Sequence, residues 1–251
     1  MRLKTALTKK DIIVILVCLI FLVINLGAIS SGGRRRAKRT LCLTNLRQLT
    51  LAWTDYAVDN DGKLVNGDTG EYVYSGIHVN ETPWVQKDWE PGTTLAEKEQ
   101  AIRDGALFPY CGDIKLYKCP LRILVETRSY CVVDAMNCKG WDSYRVMLKT
   151  ITAIHNPDDR AVFLDDAGNG GASLGGWTQY SIYSSDRWTW WDPPPIRHDK
   201  GTTFSFADGH TEYWKWKDPR TVEWGAKMMA FSPPQIDNPD LTRSQIASWG
   251  D

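Results

Sequence analysis

The sequence lacks the short motifs that mark the large enzyme classes. It contains no Gly-x-Ser-x-Gly, no Walker A loop, no His-Glu-x-x-His and no dinucleotide fingerprint. Acidic side chains are numerous, yet nothing specifies a glycosidase pair. These absences argue against an enzyme. Net charge is also absent, since 30 Lys and Arg face 30 Asp and Glu. The balance hides a split. Residues 1–40 hold nine basic residues and one acid, Asp11, whereas residues 41–251 hold 21 basic and 29 acidic ones. A body with an acidic excess excludes a nucleic-acid partner, because phosphate binding needs a basic face.

What is present begins with an apolar run. Ile12 to Ile29 reads IIVILVCLIFLVINLGAI, eighteen residues without a charge. That length sits at the lower bound for a spanning helix, and Ser30 or Ser31 extends it to about twenty. No Ala-x-Ala cleavage site follows, because the chain continues as SSGGRRRAKR. A retained membrane anchor is therefore expected in place of a cleaved secretory signal. Basic residues flank both ends, so charge alone leaves the orientation open. A second helical pattern follows. Cys42, Leu46, Leu49, Trp53 and Tyr56 are spaced 4, 3, 4 and 3, which puts one apolar stripe along one side. Asp59-Asn60-Asp61-Gly62 ends it, with Gly62 able to take a left-handed cap. Asp59 and Asp61 lack the other ligands of an EF-hand loop.

Residues 63–251 carry little helical periodicity and many turn signals, among them Asn66-Gly67, Pro91-Gly92 and Gly175-Gly176. The clearest hairpin runs from Thr202 to Ala207, turns at Asp208-Gly209 and returns from His210 to Trp216. Ala161 to Leu164 reads as a buried strand ending at Asp165-Asp166. Glu97–Arg103 reads as a short helix, Val222–Phe231 as a strand or helix, and the Pro-rich tail from Ser232 as loop. There are twelve tryptophans, all from Trp53 onward. Most aromatics build core. However, Trp177, Trp188, Trp190 and Trp191 fall in a Gly/Pro-rich stretch typical of exposed loops, and are candidates for glycan contact.

Cys111, Cys119, Cys131 and Cys138 lie within 28 residues. In an exported domain an even cluster suggests two disulfides. Four cysteines allow three pairings, of which locality favours Cys111–Cys119 with Cys131–Cys138. Zinc sites use tighter pairs such as C-x2-C, and here the spacings are C-x7-C and C-x6-C. Reduced core thiols are the remaining reading. His198, Asp208 and His210 cluster in sequence, and Asp165-Asp166, at the end of a candidate strand, could sit beside them. Histidine plus carboxylate suits calcium or another divalent ion, with His198, Asp208, His210 and Asp166 as candidate ligands. The plainer reading needs no cofactor. Asp208 is a turn residue, Gly209 supplies the positive φ, and His198 hydrogen-bonds across the hairpin.

Three stretches carry a resemblance. Leu41 to Leu64, LCLTNLRQLTLAWTDYAVDNDGKL, resembles the post-anchor helix of bacterial type II secretion pseudopilin-like proteins. His198, nine residues and then Asp208-Gly209 resemble the C-terminal H-x9-DG processing-associated domain of that group. GALFPYCGDIKLYKCP (Gly105–Pro120) is a weaker match. The resemblance implies an α+β, pilin-like fold. In it, one long N-terminal helix, half transmembrane and half amphipathic, packs on a β-rich, mainly antiparallel domain. The implied organisation is a leader and anchor over 1–31, an amphipathic helix over 32–62 and an extracytoplasmic body over 63–251. Aligning Asp11 with the family's glutamate places Ala6 at the processing position and Leu7 at the first mature residue. Asp11 would then pair with a neighbour's amine. The implied function is a non-catalytic, membrane-anchored component of a cell-envelope secretion or pilus-type assembly. Its partners would be the membrane, other pilin-like subunits and secretion machinery. Its place would be the inner membrane, single-pass, with the N-terminus cytoplasmic and the body periplasmic or extracellular. A tethered glycan-binding domain taking polysaccharide, and a metal-dependent hydrolase, are the alternatives.

Overall fold

The computed structural model describes residues 8–27, 31–69, 78, 80–87, 92–122, 126–138, 147–166 and 176–251. The chain forms two compact units, Met1–Lys38 and Arg39–Asp251. In the first, Thr8 starts helix α1 (Lys9–Gly27). Its hydroxyl accepts from the Asp11 N–H at 3.3 Å, and the Asp11 carboxylate accepts from the Thr8 N–H at 2.8 Å and the Thr8 hydroxyl at 2.7 Å. This is a reciprocal helix cap. The two Thr8 hydrogen bonds hold the Asp11 carboxyl below its ordinary pKa. Asp11 therefore serves its own helix. Ala6 and Leu7 lie outside the described residues.

Helix α2 (Ser31–Asp59) is a separate element of 29 residues, against 19 for α1. The expected single long N-terminal helix is thus corrected to two shorter ones. No helix among the described residues is long and apolar enough to cross a membrane. The physical reason lies in the first turn of α1. Lys9, Lys10 and Asp11 are charged, so the uncharged part runs from Ile12 to Gly27. At roughly 1.5 Å per residue it spans about 24 Å, short of a hydrocarbon core of about 30 Å. The single-pass inner-membrane placement loses its support on the same ground.

In the second unit the α2 stripe faces inward. Cys42, Leu46, Leu49 and Trp53 are fully buried, and Tyr56 is half-buried with its ring edge-on to Tyr110 at 5.7 Å. A short parallel pair follows, β1 (Asn66–Thr69) and β2 (Pro83–Val85). Next come α3 (Leu95–Arg103), capped by Thr94 and Glu97, and α4 (Phe108–Cys111), followed by a 3-10 turn over Ile114–Tyr117. The remaining strands are β3 (Tyr130–Val133), β4 (Ala161–Asp165), β5 (Gly176–Trp177), β6 (Gly201–Phe206) and β7 (Thr211–Lys215). They form one sheet in the order β5-β3-β4-β6-β7, antiparallel except where β5 runs parallel to β3. Every residue of β3, β4 and β6 is buried. These strands lack in–out alternation because both their faces are covered. The Thr50 hydroxyl of α2 donates to the Ser205 hydroxyl of β6 at 2.7 Å, a direct polar tie inside the apolar core.

Asp208-Gly209 turns β6 into β7, with Gly209 at φ 92°. Gly201 opens β6 where a side chain has no room, since a Cβ there would come 2.1 Å from the Trp214 carbonyl oxygen. Two helices close the chain, α5 (Pro219–Lys227) and α6 (Pro239–Trp249). The second corrects the reading of the Pro-rich tail as loop. The Asn238 side chain accepts from the N–H groups of Asp240 and Leu241, and Pro239 occupies the first turn. That pairing is a helix start signal.

Candidate functional site

Four side chains from four separate segments converge beneath the sheet. Cys42 comes from the buried stripe of α2. Cys119 follows the 3-10 turn, and its backbone N–H donates to the Ser129 hydroxyl at 2.6 Å. Asp165 ends β4, where its carbonyl accepts from the Thr202 hydroxyl at 2.7 Å. His198 precedes a two-residue turn, Asp199-Lys200, both left-handed at φ 55° and 63°, and its N–H donates to the Gly201 carbonyl at 3.0 Å. Positive φ at both central residues is the hairpin turn geometry that matches strand twist. It sets His198 opposite the first residue of β6.

One ligand-type atom from each side chain lies within 4.8 Å of the others, and all four residues are buried. His198 Nε2 is 2.8 Å from Asp165 Oδ2 and 3.4 Å from Cys119 Sγ. Cys42 Sγ is 4.0 Å from Asp165 Oδ2. Donors surround the sulfurs. The Tyr130 hydroxyl donates to Cys42 Sγ at 3.2 Å, the Thr203 hydroxyl sits 3.1 Å from the same atom, and the Leu121 N–H donates to Cys119 Sγ at 3.3 Å. Behind Asp165 stands Arg197, with Nη1 3.6 Å from Oδ1. Arg197 is held by Glu126 through two bonds of 2.7 and 2.8 Å and donates to the Asp166 carbonyl at 3.1 Å.

The electrostatics follow from burial and proximity. Burial lowers the His198 imidazole, but the Asp165 carboxylate and the Cys119 sulfur outweigh it and raise its pKa from 6.5 to about 9. Burial, then the Cys42 sulfur and the Asp165 charge, push the Cys119 thiol far up. Burial with the two sulfurs and Asp165 does the same to the Tyr130 phenol. Burial lowers the Arg197 guanidinium, and the neighbouring carboxylates of Asp165 and Glu126 raise it further than that.

The arrangement does not form a nucleophile–base–acid relay. Such a relay uses both imidazole nitrogens, one on the nucleophile and one on the carboxylate. Here Nε2 meets both Cys119 and Asp165, while Nδ1 is buried without a hydrogen-bond partner.

The structure separates most of the residues that sequence grouped. His198 and Asp208 lie at opposite ends of the six-residue strand β6, about 20 Å apart at roughly 3.4 Å per residue. Asp208 Oδ1 accepts from the His210 N–H at 3.0 Å and meets the His210 ring at 2.6 Å, and that ring stacks on Phe206 at 4.4 Å. Asp208, Gly209 and His210 thus build the turn. The His198 side chain reaches the end of β4, not across its own hairpin. Asp165 supplies the carboxylate in place of its neighbour Asp166. Neither local cysteine pairing is formed. Cys111 Sγ bonds to the Leu107 carbonyl and the Tyr117 hydroxyl, both at 3.1 Å, while Cys119 turns to Cys42. Cys131 sits in β3 opposite Leu164, and Cys138 Sγ contacts the Val133 carbonyl at 3.4 Å.

The tryptophans are corrected as well. Trp177 and Trp190 are fully buried, 6.3 Å apart, and their indole N–H groups donate to the Pro193 carbonyl and the Gln235 side chain. Trp191 lies between Tyr180 and Phe231, and Trp188 is half-buried. The four do not present one exposed platform. No protein family, curated protein or solved structure matches the chain.

Proposed function

We propose that the chain is a non-catalytic, pseudopilin-like subunit of a multi-subunit secretion or pilus-type assembly, with α1 as the element that contacts other subunits. The observation that carries this reading is the surface of α1. From Ile12 to Val23 its apolar side chains are between 46% and 67% exposed, and no polar face interrupts them. A helix that is apolar all round is stable when buried on every side. Packing against like helices of other copies supplies that cover. The burial of Cys42, Cys119, Asp165 and His198 supports the non-catalytic part, because none of them faces solvent.

Cys18 gives a direct test, being an exposed thiol on α1. Full-length chain in aqueous buffer with reductant should sediment as an oligomer. A bismaleimide cross-linker should join copies through Cys18 and fail in Cys18→Ser. A fragment starting at Arg39, the beginning of the second unit, should sediment as a monomer. A monomeric full-length chain with no Cys18-dependent cross-link would refute the reading.

A further inference from the structure

We propose that Cys42, Cys119, Asp165 and His198 form a tetrahedral zinc site that fastens α2 to the sheet. The donor set is the first argument. Two sulfurs, one imidazole nitrogen and one carboxylate oxygen are the ligands that zinc takes in four-coordinate sites. The geometry is the second. A tetrahedron with metal–ligand lengths of about 2.0–2.3 Å has edges of roughly 3.3–3.8 Å. The separations of 2.8, 3.4 and 4.0 Å lie around that range, and no pair of the four atoms exceeds 4.8 Å. A metal at the centre needs Nε2 and Oδ2 to part by about 0.5 Å and the wider pairs, all within 4.8 Å, to close by up to about 1 Å.

The surroundings are the third argument, because they place donors on sulfurs that would give up their protons on binding a metal. The Tyr130 hydroxyl and the Leu121 N–H each donate to a sulfur, one on Cys42 and one on Cys119. A neutral thiol is a weak acceptor, whereas a metal-bound thiolate is a charged one. Groups behind the ligands orient them and set their charge. Two thiolates, one carboxylate and a dication leave a net charge of −1, and Arg197, shared with Glu126, stands 3.6 Å from the far oxygen of Asp165. With Nε2 on the metal, the single proton of the neutral imidazole resides on Nδ1. Zinc binding requires the two thiols and the imidazolium to release one proton each, leaving zinc bound to two thiolates, one neutral imidazole and one carboxylate.

The test is made on the full-length chain under a non-thiol reductant. Elemental analysis should find about one zinc per chain. After chelation, added cobalt(II) should give the intense visible bands of tetrahedral coordination and a thiolate-to-cobalt charge-transfer band. Cys119→Ser and Asp165→Asn should lower zinc affinity at least 10-fold, while Cys111→Ser, a thiol away from the cluster, should leave it unchanged. Because ligand variants can unfold, Tyr130→Phe provides a second reading. It removes only the hydroxyl on Cys42 Sγ and should weaken zinc binding about 10- to 100-fold in a folded protein. A chain that takes up neither zinc nor cobalt, or a charge-transfer band that persists unaltered in a folded Cys119→Ser, would overturn the proposal.

Discussion

Replacing Arg197 by leucine examines the charged layer behind the site. Its guanidinium makes two bonds to Glu126 at 2.7 and 2.8 Å, and the side chains are only 10% and 2% exposed. Water is excluded, so salt cannot screen the pair as it does on a surface. Arg197→Leu removes both bonds to the buried Glu126 carboxylate and the neighbour of Asp165 Oδ1. Breaking a buried pair from one side costs about 3–5 kcal/mol. Removing both partners in Glu126→Leu/Arg197→Leu restores an apolar contact but still takes a donor from the Asp166 carbonyl and a charge from beside Asp165, so the double variant should lose about 1–2 kcal/mol. The assay is urea unfolding followed by circular dichroism, with chelator present so that no metal contributes. With a slope of about 2 kcal/mol per molar urea, the single variant should shift the midpoint down by about 2 M and the double variant by less than 1 M. The shifts should agree at low and high salt. A single-variant cost below about 1 kcal/mol, or one that fades with salt, would mean that the pair behaves as a surface ion pair and that the buried layer is misread.

Two other outcomes are expected. Asn238→Ala removes the cap of α6 together with bonds from its amide to Thr221 and Gln235, and should cost about 2 kcal/mol in the same urea assay. At Asp208, burial raises the carboxyl pKa, but the N–H, ring and charge of His210 together outweigh it and hold it below its ordinary value. Its contribution is therefore full above the unfolded value and is lost as pH falls through the folded one. Being partly exposed, it is small, about 0.5 kcal/mol. The stability gap between wild type and Asp208→Asn should be present at pH 6, close below about pH 4 and be gone near pH 2. A gap that widened with acid would contradict the sign.

The parts of the fold that sequence made legible are those where one local rule acts alone. Asp208-Gly209 between two β-rich runs marks the β6–β7 hairpin, and Ala161–Leu164 marks β4 up to Asp165. The spacing of Cys42, Leu46, Leu49 and Trp53 marks the buried side of α2. Other parts depend on partners far along the chain. Helix α6 hides because its first residues, Asn238-Pro239-Asp240, read as loop until the cap and the core position of Leu241 are seen together. The cluster hides for a different reason. Local cysteine spacing pointed to neighbours in sequence, whereas Cys119 meets a helix residue 77 positions earlier and a strand end 46 positions later. The usable signal was the set of odd features left by each local rule: a cysteine on the stripe, an acid at the end of a buried strand and the first residue of His198-x9-Asp208-Gly209.

The spacing of that last motif works as a molecular ruler. His198 engages the end of β4, and Asp208 turns the chain one strand length away. Side chains alternate with a period of two, so inserting or deleting one residue between Asp199 and Ala207 reverses the face of every side chain on one side of the change. Either the imidazole would keep its place against Asp165 or the turn would keep its pairing with β7. Two residues would preserve the faces but displace one anchor by about 7 Å. The interval thus tolerates substitution far better than it tolerates a change in length.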